Sequence, residues 1–264
     1  MKLIRCCPSL NLCGIKTVEF SKAPLHTRHN PYITTGYRPL LSPYQCFLSL
    51  FVWSNETINI WTHLLGLFVF VGLLLYDIFT LLPDDKNKQP PIDIALAAFV
   101  LLCFMVCMLA SVLYHTLSCV SASAYRRWFT LDILGISLAF YAVFVSGIFY
   151  GFWCPEHRMQ RNVYLGLNST LFVCALMFVI VPSLSSDEWQ SARLRLFAGW
   201  GASGVLPTAH WTLVHLNVDE PILQVFLPRI VIMYLVCGAA LCVYCWNIPE
   251  KYFPGQFNCL GSSH

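Results

Sequence analysis

Six apolar stretches follow one another between residues 63 and 246. Each is close to the ~20 residues that a helix needs to cross the hydrocarbon core of a bilayer. They are predicted at 63–82, 92–119, 129–152, 163–181, 194–214 and 224–246. In lipid every backbone N–H and C=O must be satisfied within its own element, so such stretches are forced to be helices. The connections are short and carry the breakers Pro83, Pro90, Pro91, Pro155, Pro182, Pro221, Pro249 and Pro254. The predicted fold class is all-α, a polytopic membrane helical bundle. Composition excludes the alternatives. With 57% hydrophobic and 11% charged residues, against about 25% charged in a soluble domain, the chain lacks the polar groups to cover a water-facing surface. It is also too apolar for disorder. A net charge of +3 gives no footing for nucleic acid.

Ahead of the spans, residues 1–45 are basic and interrupted by Pro8, Pro24, Pro31, Pro39 and Pro43. They are expected to form a cytosolic tail. Residues 46–60 are aromatic and amphipathic and are expected to lie in the membrane interface as a helix. The remainder of 46–264 is expected to be one bundle. No apolar run precedes Lys16, so a cleavable signal peptide is not expected. Lys and Arg counts orient the chain. With the N-terminus inside, eleven fall on the cytosolic side: Lys2, Arg5, Lys16, Lys22, Arg28, Arg38, Arg126, Arg127, Arg193, Arg195 and Lys251. Five fall on the other: Lys86, Lys88, Arg158, Arg161 and Arg229. The sequon at Asn55 then faces the cytosol and the one at Asn168 lies within a span, so neither is expected to be glycosylated. Of the thirteen Cys, Cys103, Cys107, Cys174, Cys237 and Cys242 sit in apolar runs and read as small hydrophobes.

Polar side chains at membrane depth are expensive and mark candidate sites. Glu56, Asn59 and His63 recur at i, i+3 and i+7, one helical face entering the first span. Ser111 and His115, at i and i+4, share a face near the end of the second span. Asp132 follows seventeen residues after His115, a few residues into the third span. If the second and third spans are antiparallel neighbours, the three reach one depth. Such a trio suits a metal, a proton relay or a structural hydrogen-bonded network. His210 follows Pro207 in the fifth span, where kinking and packing suffice to explain it.

These motifs resemble the progestin and adipoQ receptors. The stretch Ser54-Asn55-Glu56-Thr57-Ile58-Asn59-Ile60-Trp61-Thr62-His63 is similar to the family's first signature, and Ser111-x-x-x-His115 with Asp132 to its second. Gly204-Val205-Leu206-Pro207-Thr208-x-His210-Trp211 and the run from Ile248 to Gly255 are similar to further family segments. Asn30–Arg38 and Phe257–His264 resemble the Raf-kinase-trapping branch. The likeness covers about residues 30–264. It implies a seven-helix bundle with a cytosolic N-terminus and a zinc ion near the cytosolic side. His115 would be the second-span ligand, with Ser111 and Asp132 as catalytic polar partners beside the metal. His264 would be the first His of a seventh-span H-x-x-x-H. On this reading the chain is truncated: it has six spans of seven, and the third zinc ligand is missing. Zinc would then be held weakly or not at all, since a catalytic zinc usually takes three protein ligands.

The resemblance implies two functions of different class. One is a Golgi membrane scaffold that tethers a Raf kinase and lowers MAP-kinase signalling, with the basic tail suited to a protein partner or to anionic membrane lipid. The other is a zinc-dependent, ceramidase-like amide hydrolase within the membrane, which the missing ligand would weaken. A truncated product without function is the third possibility.

Overall fold

The computed structural model describes residues 14–81, 90–216 and 220–263. Among the described residues there are eight α-helices: α1 Pro43–Leu48, α2 Thr57–Leu81, α3 Pro91–Leu117, α4 Ala122–Gly151, α5 Arg158–Ile180, α6 Gln190–Ser203, α7 Val205–His215 and α8 Glu220–Trp246. Among the described residues there is no strand, only an isolated antiparallel bridge between Val18 and Tyr37. The all-α polytopic class expected from the apolar stretches is therefore what the chain adopts.

Among the described residues, five helices are long and apolar enough to cross a membrane: Thr57–Thr80, Pro91–Leu117, Ala122–Gly151, Pro155–Ile180 and Pro221–Trp246. Their faces carry exposed Phe68, Phe79, Leu235 and Val236. Lipid tails are as apolar as these side chains, so their exposure costs nothing in a bilayer. The stretch predicted at 194–214 is two helices, α6 and α7, meeting at Gly204. Pro207 has no N–H to give the Ser203 carbonyl, so the ladder lapses there. Gly204 itself faces the Phe144 ring and the Tyr234 hydroxyl so closely that a Cβ would clash with both. Where a single helix was expected over 46–60, α1 ends at Leu48, a short turn covers Ser49–Phe51, and α2 starts at Thr57. The Thr57 hydroxyl accepts from the Ser54 N–H at 2.8 Å and donates to the Val52 carbonyl at 3.2 Å. These bonds stabilise a bend where a continuous helix would have run on.

The chain falls into two compact units. The first takes in the described parts of Met1–Val69, Met108–Asp132 and Ala239–His264; the second takes in those of Phe70–Cys107 and Ile133–Gly238. In the first unit the pre-span segment is folded. Val18 and Tyr37 exchange backbone hydrogen bonds of 2.7 and 3.1 Å. Ala23, Ile33 and Tyr37 form one small core with Val18 and Phe20 against it. A second core gathers Ile15, Leu41, Cys46, Val52, Leu117 and Cys119. Ser42 caps α1 with a capping box closed by Gln45, and Pro43 fits the first helical position. In the second unit Ile148, Phe152, Trp211 and Leu223 pack together. The buried Trp200 indole donates to Asn168 Oδ1 at 2.9 Å, and Asn168 Nδ2 donates to the Tyr141 carbonyl at 3.3 Å. Asn168, 3% exposed, is thus committed to packing. His210 Nδ1 lies 2.9 Å from the Tyr164 hydroxyl, and His215 Nδ1 2.9 Å from the Trp211 carbonyl. His210 and His215 thus have local partners, whereas His157 Nδ1 is buried without a hydrogen-bond partner among the described residues.

Candidate functional site at the His115 end of α3

Unit one brings most of the sequence-selected polar residues together. His115 lies in the last turn of α3 and is 6% exposed. Its Nδ1 lies 2.8 Å from Glu56 Oε2, on the residue just ahead of α2. A carboxylate only accepts, so Nδ1 carries the proton, and in the neutral ring Nε2 then holds the lone pair. Glu56 Oε2 also accepts from Asn59 Nδ2 at 3.0 Å. His63, one turn further along α2, places its Nδ1 2.7 Å from the Asn59 carbonyl, with its ring 5.9 Å from that of His115. The i, i+3, i+7 face is therefore not merely a polar stripe: its glutamate orients the α3 histidine. Asp132, in α4, lies against Ser111 and within the electrostatic reach of His115 and His63. The shared depth expected for Ser111, His115 and Asp132 follows, since the short turn between Leu117 and Ala122 folds α4 back beside α3.

Two further features were not read from the sequence. Arg38 is 3% exposed. Its Nη1 donates to the Thr116 carbonyl at 2.9 Å and to Ser49 Oγ at 3.0 Å, and its Nη2 donates to the His115 carbonyl. It thereby satisfies carbonyls that the end of α3 leaves without helical partners, and places a cation where the helix dipole favours one. The second is a clasp between residues 30–36 and 250–263. Glu250, fully buried, accepts from Asn30 Nδ2 at 2.8 Å, from the Ser263 N–H at 3.0 Å and from the Ser263 hydroxyl. Asn258 accepts from the Thr34 N–H at 2.8 Å and donates to Thr35 Oγ1 at 2.7 Å. Gly255 (φ +79°) donates its N–H to the Tyr32 carbonyl at 3.0 Å. A Cβ on Gly255 would press on Thr34 Oγ1 at 2.9 Å. One N-terminal segment thus holds both the backbone of His115 and the run leading to residue 264.

A model of the haemolysin-III-related family matches residues 51–264. The chain is 42% identical over 252 residues to progestin and adipoQ receptor family member 3 of Mus musculus, covering 95% of this chain and 80% of that protein. The chain belongs to the progestin and adipoQ receptor family. The Homo sapiens member 3 is 41% identical over the same shares. The adiponectin receptor protein of Drosophila melanogaster is 31% identical over 94% of this chain and 55% of that protein. In this progestin and adipoQ receptor, the resemblance rested on runs of sequence around Arg38, Glu56, His115, Asp132 and Glu250, and the structure adds the bonds that join them.

The zinc ion that the sequence resemblance implies would need several donors here. Among the described residues no group of three His, Cys, Asp or Glu side chains could hold a metal ion. His264 lies outside the described residues. His115 itself fits ligand duty: a carboxylate on Nδ1 is the usual way a metal-binding imidazole is oriented and its basicity raised.

Proposed function

We propose that this multi-pass receptor-like membrane protein is a Golgi scaffold that tethers a Raf kinase and dampens MAP-kinase signalling. The observation that carries this reading is the folded cap of unit one, taken with the similarity to family member 3 along nearly the whole chain. A docking surface needs a fixed shape, and residues 14–41 have one. The cap exposes the cations Lys16 and Lys22 and the side chain of Leu25, 80% exposed. Membrane lipid is its second partner, through exposed Tyr44, Phe47, Phe51 and Trp53 around α1. The test is co-expression with a fluorescent Raf kinase and a Golgi marker. The kinase should gather on the marked membranes, and Lys16→Glu with Lys22→Glu should release it. A kinase that stays dispersed beside a Golgi-resident chain overturns the tethering. Deleting residues 1–45 would also remove Arg38 and the clasp, so point variants on the exposed face are the sharper instrument.

The Glu56–His115 pair favours a second reading, a zinc-dependent amide hydrolase acting on a ceramide-like lipid. Zinc, when bound, polarises an amide carbonyl and acidifies water. His115 and His264 would hold it. Glu56 fixes the His115 ring, Asp132 is placed to take up a proton, and Ser111 to donate a hydrogen bond to a developing oxyanion. Zinc content of the purified chain, measured by elemental mass spectrometry, tests the ligand assignment without any assay of turnover. It should fall on His115→Ala, and equal contents would remove this reading.

A further inference from the structure

Cys46, on α1, and Cys119, in the turn after α3, are both free thiols, and they are 0% and 1% exposed. Their sulfurs are 3.5 Å apart across 73 residues of sequence. A disulfide bond is about 2.05 Å long, so a shift of about 1.5 Å shared between two side-chain rotations would close it. The backbone around the pair is already pinned. The Leu41 N–H donates to the Cys119 carbonyl at 3.3 Å, and the Cys46 N–H to the Ser42 carbonyl at 2.9 Å. We propose that Cys46 and Cys119 are a modification site, a dithiol that a hydroperoxide converts to a reversible disulfide stapling α1 to the end of α3.

The surroundings supply the chemistry. No carboxylate among the described residues lies within ion-pair reach of the buried Arg38 guanidinium, whose Nε has no hydrogen-bond partner there. The hydrogen bond from Cys46 and the nearby Arg38 charge draw the Cys119 thiol down to about 7, against the opposing effect of burial. The same hydrogen bond, with burial, pushes Cys46 up, so it keeps its proton. Cys119 is therefore the attacking sulfur and Cys46 the resolving one. The Cys119 thiolate attacks the terminal oxygen of the hydroperoxide, breaking the O–O bond. This gives a sulfenic acid and, for hydrogen peroxide, hydroxide, which takes a proton to become water. Cys46 then attacks the sulfenic sulfur, the S–S bond forms, the S–O bond breaks, and the departing hydroxide takes the Cys46 proton as a second water. Two thiols are oxidised and one peroxide is reduced. Both sulfurs are enclosed, so only a small oxidant reaches them, and exposed Cys154 and Cys174 serve as the internal comparison.

The experiment treats the full chain in lipid nanodiscs with hydrogen peroxide, blocks remaining thiols under denaturing conditions and maps peptides by mass spectrometry. The expected result is a linked Cys46–Cys119 peptide lighter by two hydrogens and absent after dithiothreitol. The unfolding midpoint should rise by several degrees in the oxidised chain and return on reduction. Cys46→Ser should leave a dimedone-reactive Cys119. If that variant does not fold, the wild-type map decides alone. Full alkylation of both thiols after exposed Cys154 has been oxidised overturns the proposal, and so does a Cys119 sulfenic acid that never resolves in the wild type.

Discussion

Glu56 is the residue on which the site turns. It is half-buried, bonded to His115 and Asn59, and sits where α2 begins. Glu56→Gln keeps the shape, but an amide that presents its NH2 to Nδ1 cannot orient the ring the same way. On the zinc-hydrolase reading proposed above, zinc affinity, measured by competition with a chromophoric chelator, should fall about 10- to 100-fold, the range for lost outer-shell partners. Unchanged affinity would show that the pair is only structural. His26 offers a second check. Burial, then neighbouring His29 and Arg126, lower its affinity for a proton, against the hydrogen bond to the Ser118 carbonyl at 3.1 Å. The folded state therefore binds this proton less readily than the unfolded one. Its stability contribution is complete above the unfolded value of about 6.5 and is lost as pH falls through the lower folded value. The unfolding midpoint should drop as the pH is taken below about 6.5, and His26→Gln should flatten that limb. An unaltered limb would assign it to another group. The sequence disclosed Ser111, His115 and Asp132 because polar side chains stand out against an apolar run. It hid the Glu56–His115 bond, which joins positions 59 residues apart with no shared periodicity.

At the scale of elements, the membrane did most of the specifying. A span must be apolar for about 20 residues, and that demand is local, so five long helices were legible in advance to within a few residues at most ends. The break between α6 and α7 was legible only in part: Pro207 marks a kink in the sequence, but the close approach at Gly204 does not show there. Phe144 and Tyr234 approach it from α4 and α8. Gly204→Ala should destabilise the fold by about 1–3 kcal/mol through overpacking. Gly238, in α8, has nothing within 4 Å of where its Cβ would sit. Gly238→Ala should be neutral or stabilise by up to about 1 kcal/mol, since alanine is the better helix former. Thermal unfolding in one detergent measures both. Equal losses in the two variants would point to helix dimerisation or lipid contacts at Gly238 and away from the close approach at Gly204.

At the scale of the whole molecule, the clasp raises the question of how two ends of a chain become one structure. The apolar pattern could not reveal it, because Asn30 and Glu250 are 220 residues apart and Thr34 and Asn258 are 224 apart. Neither segment has regular secondary structure beyond turns, so side-chain hydrogen bonds and buried carboxylate chemistry carry the join. Closing a loop of this length costs chain entropy that grows only slowly with length. Once the spans have folded, most of that cost is already met, and the bonds to Glu250 and Asn258 act between nearly fixed partners. Bonds to a buried carboxylate are the ones whose loss matters, because an orphaned buried charge is heavily penalised. Asn30→Ala and Asn258→Ala should each cost about 1–3 kcal/mol. Because both loosen the same junction, the double variant should cost less than the sum, with a coupling of about 0.5–3 kcal/mol. Strict additivity in thermal unfolding would mean that the two bonds are independent and that residues 30–36 do not act as one strap.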